Sequence, residues 1–332
     1  MHRSFLLLFG AVATTSLLLA GCGGGSAKKD DFGKSPDQSQ AIPKDQVQPV
    51  NVILAGGDWF VGQNNFVFGI TDGKDQPQGG AKAVATFYDI RDLNNPKPVG
   101  TPIEAVQSAP GAGAKVTHTH ANGDAHVHGG EDDNRVGYYA PVSFGHAGNW
   151  GVSVAITLKD GTKGTSNIAF QVSAKPKMPA PGQLALKSDN LTKKDVASVK
   201  EIDSGDPPND MHDAKIKDDI VAGRPMVIVF STPAFCTSRF CGPVTEEVEN
   251  LQEQYRGKVD FVHVEIWRDF DKKQLNPTAK EWLVQPDGSL SEPIVYVVDK
   301  NGTIFNRWEG PSAKNIMEPS LIAVAAGQTY AK

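Results

Sequence analysis

The chain has 332 residues, enough for two ordinary domains and a tail. With 39% hydrophobic and 21% charged residues it has the composition of a globular protein, not of a disordered or fibrous one. A formal net charge of -5 with no basic stripe argues against nucleic acid as a partner.

The N-terminus reads as an address. His2-Arg3 is a short positive region, and Phe5 to Ala20 is an apolar run too short to span a bilayer comfortably. Leu19-Ala20-Gly21-Cys22 follows, and this run resembles the bacterial lipoprotein signal. The resemblance implies that residues 1–21 are a signal peptide, that cleavage precedes Cys22, and that Cys22 carries the lipid, palmitate included. The protein is then expected on the cell membrane, facing outside the cytoplasm. An ordinary secretory signal with an incidental cysteine is the alternative. Residues 22–46 begin with Gly23-Gly24-Gly25-Ser26 and stay polar, so a disordered tether is expected there.

Residues 47–174 read as strands separated by Gly, Asp, Asn and Pro turns. Seven are predicted: Val50–Leu54, Asn65–Thr71, Ala81–Ile90, Pro98–Val106, Val136–Phe144, Asn149–Leu158 and Thr165–Ser173. Alternation at Val152, Val154, Ile156 and Leu158 marks a half-buried face. So many short strands predict an all-β sandwich. Tyr138 to Phe144 and Ala147 to Val152 resemble the strand-turn-strand of immunoglobulin-like modules in exported bacterial proteins.

One insert in this region stands out. Thr117 to His128 holds His118, His120, His126 and His128, four of the chain's eight histidines, followed by Glu131-Asp132-Asp133. Imidazole suits copper and zinc, and in extended chain the two members of a His-x-His pair share a side. The bland reading is a solvated loop, and His146 is a further turn histidine.

Residues 175–187 carry Pro176, Pro179, Pro181 and Gly182 and read as a linker. Residues 188–327 then alternate strand and helix. A helix is expected at Ile216–Ala222, ended by Gly223, and a buried strand at Met226–Phe230. Cys236, Cys241 and Gly242-Pro243 lead into an amphipathic helix with Val244, Val248, Leu251 and Tyr255 on one face. A strand at Val259–Ile266, a helix at Asn276–Val284 with Pro277 first, a hairpin from Ile294 to Trp308 and a helix at Asn315–Ala326 complete the series.

A cysteine pair at a strand-to-helix junction, Tyr255-Arg256-Gly257-Lys258 before the next strand, and Glu292-Pro293 before Ile294-Val295-Tyr296 resemble the thioredoxin fold. The resemblance implies an α/β thioredoxin-like second domain whose catalytic residues are Cys236, Cys241 and a cis Pro293 lying against the sulfurs. This sequence departs from that pattern twice. Val229 stands where the family commonly has a buried acid, and the motif is C-x-x-x-x-C. Within one regular helix, residues five apart lie roughly 7.5 Å along the axis and about 140° around it. A disulfide usually needs Cα atoms within about 6.8 Å. The pair can therefore close only if Cys236 lies in the loop and Cys241 at the helix start.

The register leaves two assignments open, Cys236 as nucleophile or, if Phe240-Cys241-Gly242-Pro243 is the matching element, Cys241. Arg239 and the helix N-terminus are candidate stabilisers of a thiolate. With Cys22 in the anchor, the other two cysteines are left as a pair outside the cytoplasm, where a disulfide persists. The expected function is thiol–disulfide exchange on extracytoplasmic proteins, with no cofactor required.

Three alternatives remain. One is a structural disulfide in a non-catalytic module. Another is copper or zinc binding or delivery through the cysteines, the histidine insert or both, with His212 and His263 as further histidines. The third is a peroxidase, from the resemblance of Thr232 to Thr237 to a peroxiredoxin segment.

Overall fold

The computed structural model describes residues 49–111, 116–119, 125–128, 136–236, 238 and 240–331, with backbone alone for 116–119 and 125–128. All of them belong to one compact unit, Phe32–Lys332. The expected signal peptide, Cys22, the tether, His120 and Arg239 lie outside the described residues. Among the described residues, no helix is long and apolar enough to cross a membrane.

The alternating segments form β1 (Val50–Leu54), β2 (Gly62–Asp72), β3 (Lys82–Asp89), β4 (Lys97–Glu104) and β5 (Val106–Ser108). A ribbon of β6 (Val116–Thr119) and β7 (Ala125–His128) comes next, then β8 (Gly137–Phe144), β9 (Gly148–Thr157) and β10 (Lys163–Val172). Two antiparallel sheets result, ordered β1-β2-β8-β5 and β10-β9-β3-β4. Their inner faces share one core, in which Phe66, Phe68 and Tyr138 meet Phe87, Trp150 and Phe170. The rings meet largely edge to face, Phe66 and Phe87 at 5.2 Å and Phe144 and Trp150 at 4.9 Å between centroids.

The second half contains α1 (Ile216–Ala222), β11 (Met226–Ser231), α2 (Cys241–Tyr255), β12 (Asp260–Glu265), β13 (Trp267–Asp269) and β14 (Gln274–Leu275). It ends with α3 (Pro277–Leu283), β15 (Ile294–Val298), β16 (Ile304–Glu309) and α4 (Lys314–Ala325). Its main sheet runs β12-β11-β15-β16, with β11 parallel to β12 and the other pairs antiparallel. Every residue of β11 is buried. Met226, Ile228 and Phe230 pack with Ile216, Trp282 and Tyr296 on one face, while Val227 and Val229 pack with Val244, Val248 and Leu251 on the other. A strand buried on both faces needs a continuous apolar run, which is what its sequence supplies.

The fold-class expectation is corrected on both counts. Among the described residues strand accounts for 38% and helix for 17%, so the structure is mostly β and not an α/β thioredoxin fold, and an immunoglobulin-like module is not shown either. The expectation rested on local signals, the cysteine pair, Tyr255 to Lys258 and Glu292-Pro293, which do not fix how much of the chain is helix. Among the described residues, two of the four α-helices, α1 and α3, have only seven residues. Residues 173–215 are largely irregular around a 3-10 turn at Val199–Glu201, and β13–β14 is a short ribbon.

The two halves are joined by apolar packing and by buried polar bonds. Val67 of β2 and Tyr139 of β8 point away from the first core and join Val227, Val295 and Trp308. Between them, Arg307 is almost wholly buried and donates to Asp58 Oδ2 (3.0 Å), Asp58 O (3.1 Å), Pro179 O (3.0 Å) and Glu309 Oε1 (3.1 Å). Its guanidinium also lies 5.4 Å from the centre of the Phe60 ring. The proline-rich stretch is tied down as well. The Met178 amide donates to Asp58 Oδ2 at 3.1 Å, and Gly182 and Ala185 bond to the backbone of Ile304 and Gly302.

Candidate redox site at the cysteine pair

Strand β11 ends at Ser231-Thr232-Pro233, where proline removes a ladder donor, and a turn from Thr232 O to Phe235 N brings in Cys236. Cys241 is the first residue of α2, so the two cysteines occupy the loop and the helix start. Their Cα atoms are 5.9 Å apart and their sulfurs are joined in a disulfide. Phe240 precedes the helix and offers no side-chain cap. The Cys241 amide donates instead to Cys236 Sγ at 3.3 Å. Ser238 Oγ lies 3.2 Å from the same sulfur and donates to Glu292 O at 3.2 Å. The Glu292–Pro293 peptide is cis, and Glu292 O is the carbonyl that Ser238 reaches. Cys236 is 5% exposed and Cys241 0%, so Cys236 is the less deeply buried of the pair.

A buried polar network starts beneath the pair. Thr245 Oγ1 donates to Cys241 O at 2.7 Å and lies 2.7 Å from Ser231 Oγ, which lies 2.9 Å from His263 Nε2. His263 sits on β12 opposite Val229 of β11. Its Nδ1 is 2.9 Å from Asn209 Nδ2 and 3.6 Å from Asp203 Oδ2. His212 Nε2 is 3.0 Å from Asp203 Oδ2, and the Gly205 amide donates to Asp203 Oδ1 at 2.8 Å. Burial opposes charge on Asp203, yet His263, His212 and the Gly205 amide hold its carboxyl well below the usual range. Burial likewise opposes a second proton on His263, but Asp203 and Glu265 raise its affinity for one above the ordinary imidazole value.

His212, a further histidine of the metal-binding alternative, is 2% exposed and serves this network. Asp203, Asn209, Ser231, Ser238 and Thr245 were not anticipated. The one sequence signal was Thr245, four residues after Cys241 on a helix, where a threonine hydroxyl reaches back to the i-4 carbonyl.

Among the described residues, two sets have the types and closeness to hold a metal. In one, Cys236, Cys241 and Glu292 have ligand atoms within 4.8 Å of one another. In the other, Asp203, His212 and His263 do too, but the Asn209 amide nitrogen lies 2.8 Å from Asp203 Oδ2 and 2.9 Å from His263 Nδ1, filling the space an ion would take. In the β6–β7 ribbon, backbone register sets His118 opposite His126 and Val116 opposite His128. His146 is engaged elsewhere, 3.2 Å from Asp89 and stacked on Trp150.

No family model matches the chain, and no curated protein matches it in sequence.

Proposed function

We propose that this chain carries out thiol–disulfide exchange on extracytoplasmic proteins through Cys236 and Cys241, tethered to the membrane by a lipid on Cys22. The observation that carries the reading is the Cys241 amide donating to Cys236 Sγ at 3.3 Å, with Ser238 Oγ 3.2 Å from the same sulfur. The same amide stabilises a Cys236 thiolate once the disulfide opens, at the N-terminus of a 15-residue helix, and the Ser238 hydroxyl can turn to it from Glu292 O. Cys236 is therefore the nucleophile and Cys241 the resolving residue.

In the oxidising direction, a client thiolate attacks Cys236 Sγ and the S–S electron pair leaves on Cys241, which takes up a proton. A second client thiolate attacks the client sulfur of the mixed disulfide and releases Cys236 as thiolate. The client leaves with a disulfide; its two electrons remain on the cysteine pair, one proton is on Cys241 and the other has gone to solvent. With the pair reduced, the same steps run backwards and reduce a client.

Single Cys236→Ser and Cys241→Ser variants test this. The Cys241→Ser protein is expected to accumulate a mixed disulfide through Cys236, and Cys236→Ser to accumulate none. Absence of any adduct from either variant overturns the reading. A couple potential below about -300 mV would instead mark a structural bridge.

A second reading, copper or zinc binding, draws on the register that sets His118 opposite His126 and on the closeness of Cys236, Cys241 and Glu292. Titration of the reduced protein with Zn²⁺ separates the sites. A stoichiometric complex lost in the double cysteine variant assigns the metal to the thiols. One lost only on deleting residues 117–128 assigns it to the histidine ribbon.

A further inference from the structure

The buried chain from His263 to Cys241 has a defined direction. Cys241 O can only accept, so the hydrogen of the Thr245 hydroxyl lies on that bond. At the other end, His263 Nε2 lies 2.9 Å from Ser231 Oγ and 3.4 Å from Ser231 O, and a carbonyl only accepts. Nε2 therefore carries a hydrogen, in either charge state of the ring. Ser231 Oγ accepts it and passes its own hydrogen to Thr245 Oγ1. A helical threonine bonding to the carbonyl four residues back is ordinary. The continuation through two further buried groups on β11 and β12 is not, because it ties the helix start to the sheet.

We propose that Thr245, Ser231 and His263 are positioning residues for the cysteine couple, fixing Cys241 so that its thiol stays close to Cys236 and the disulfide is favoured over the dithiol. The inference rests on the exchange reading above. The physical cause is effective concentration. Reduction frees Cys241 from Cys236, and an anchor on the Cys241 backbone limits how far the freed thiol wanders, which raises its effective molarity for re-closure. None of the three side chains touches the sulfurs through a recorded bond, so they act through the Cys241 backbone.

The test is the equilibrium of the couple against dithiothreitol in the full-length protein. Losing one net hydrogen bond changes an equilibrium by about fivefold, so Thr245→Val is expected to make reduction easier by about that factor, or about 20 mV. Thr245→Ser, which keeps the hydroxyl, is expected to restore the wild-type value. Ser231→Ala is expected to shift the couple the same way, and Thr245→Val with Ser231→Ala to shift it no further than the larger single change. An unchanged potential in Thr245→Val and Ser231→Ala, with wild type titrating in the exchange range, overturns the positioning role and leaves the exchange reading standing. A wild-type couple below about -300 mV overturns the exchange reading itself, whatever the variants do.

Discussion

The two halves of this molecule fill their interiors differently. Between the paired sheets of the first half lie Trp59, Phe66, Phe68, Phe87, Phe144, Trp150 and Phe170, a dry aromatic core. In the second half the sheet is as apolar on both faces, yet Asp203, His212, His263 and Glu265 are buried beside it. Burying such groups costs several kcal/mol apiece unless each is paired. The first half carries no comparable cluster among its described residues; Asp58 is paired with Arg307 across the junction. Of the buried charged clusters, one, around Asp203, lies beneath the cysteines and another, of Asp58, Arg307 and Glu309, ties the two halves together.

Mutations can separate the scaffold from the site. Phe66→Ala removes a ring with no exposure from the first core and is expected to cost about 3–5 kcal/mol in urea unfolding while leaving the couple's potential unchanged. A shifted potential would mean that the first half shapes the site. Arg307→Leu strands Asp58 and Glu309 at the junction and is expected to cost about 3–5 kcal/mol, with part of the loss recovered by adding Asp58→Leu. No recovery would mean that packing against Phe60, not charge pairing, is what Arg307 supplies.

Asp203→Asn comes next, at about 2–3 kcal/mol, and its pH dependence has a sign. The depressed pKa of Asp203 contributes stability that is complete above the ordinary carboxylate pKa and is lost only as pH falls through its own lower value. The raised pKa of His263 contributes stability that is complete below the ordinary imidazole pKa and fades as pH rises through its own higher value. The gap between wild type and Asp203→Asn in unfolding midpoint is therefore expected to be widest between about pH 4 and pH 6.5 and to shrink on the alkaline side. A gap that grows with alkalinity would refute the pairing.

The elements were legible where one local rule governs them. Ile216–Ala222 with Gly223 after it, and Pro277 opening α3, follow from capping and proline geometry alone. The closing geometry of the cysteines was legible too, because helix dimensions leave one way for residues five apart to bond. The architecture was not, because runs of apolar residues say which segments are buried and not which neighbours bury them. Val67 and Tyr139 read as ordinary alternating positions of a sheet, and only the fold shows them in the second core. The Asp203 network was hidden for the same reason. Asp203, Ser231, Thr245 and His263 are scattered over some 60 residues, and no spacing rule links a strand end, a helix turn and a loop.

The smallest expected effect lies on the same junction. Tyr139 reaches out of the first half, and its hydroxyl donates to Glu309 O at 2.5 Å and lies 3.2 Å from Ser312 Oγ. The ring is 3% exposed, and burial holds the phenol's pKa above its ordinary value, so the group stays a neutral donor across the physiological range. Tyr139→Phe keeps the ring in the second core and removes only the donor, leaving Glu309 O without that bond. The expected loss is about 1 kcal/mol in urea unfolding, less than for Phe66→Ala or Arg307→Leu because no cavity or unpaired charge is created. The same variant is expected to leave the couple's equilibrium with dithiothreitol within twofold of wild type. A larger redox shift would show that the junction and the cysteine pair are coupled through α4 and α2, which pack against each other, and would erase the division between scaffold and site.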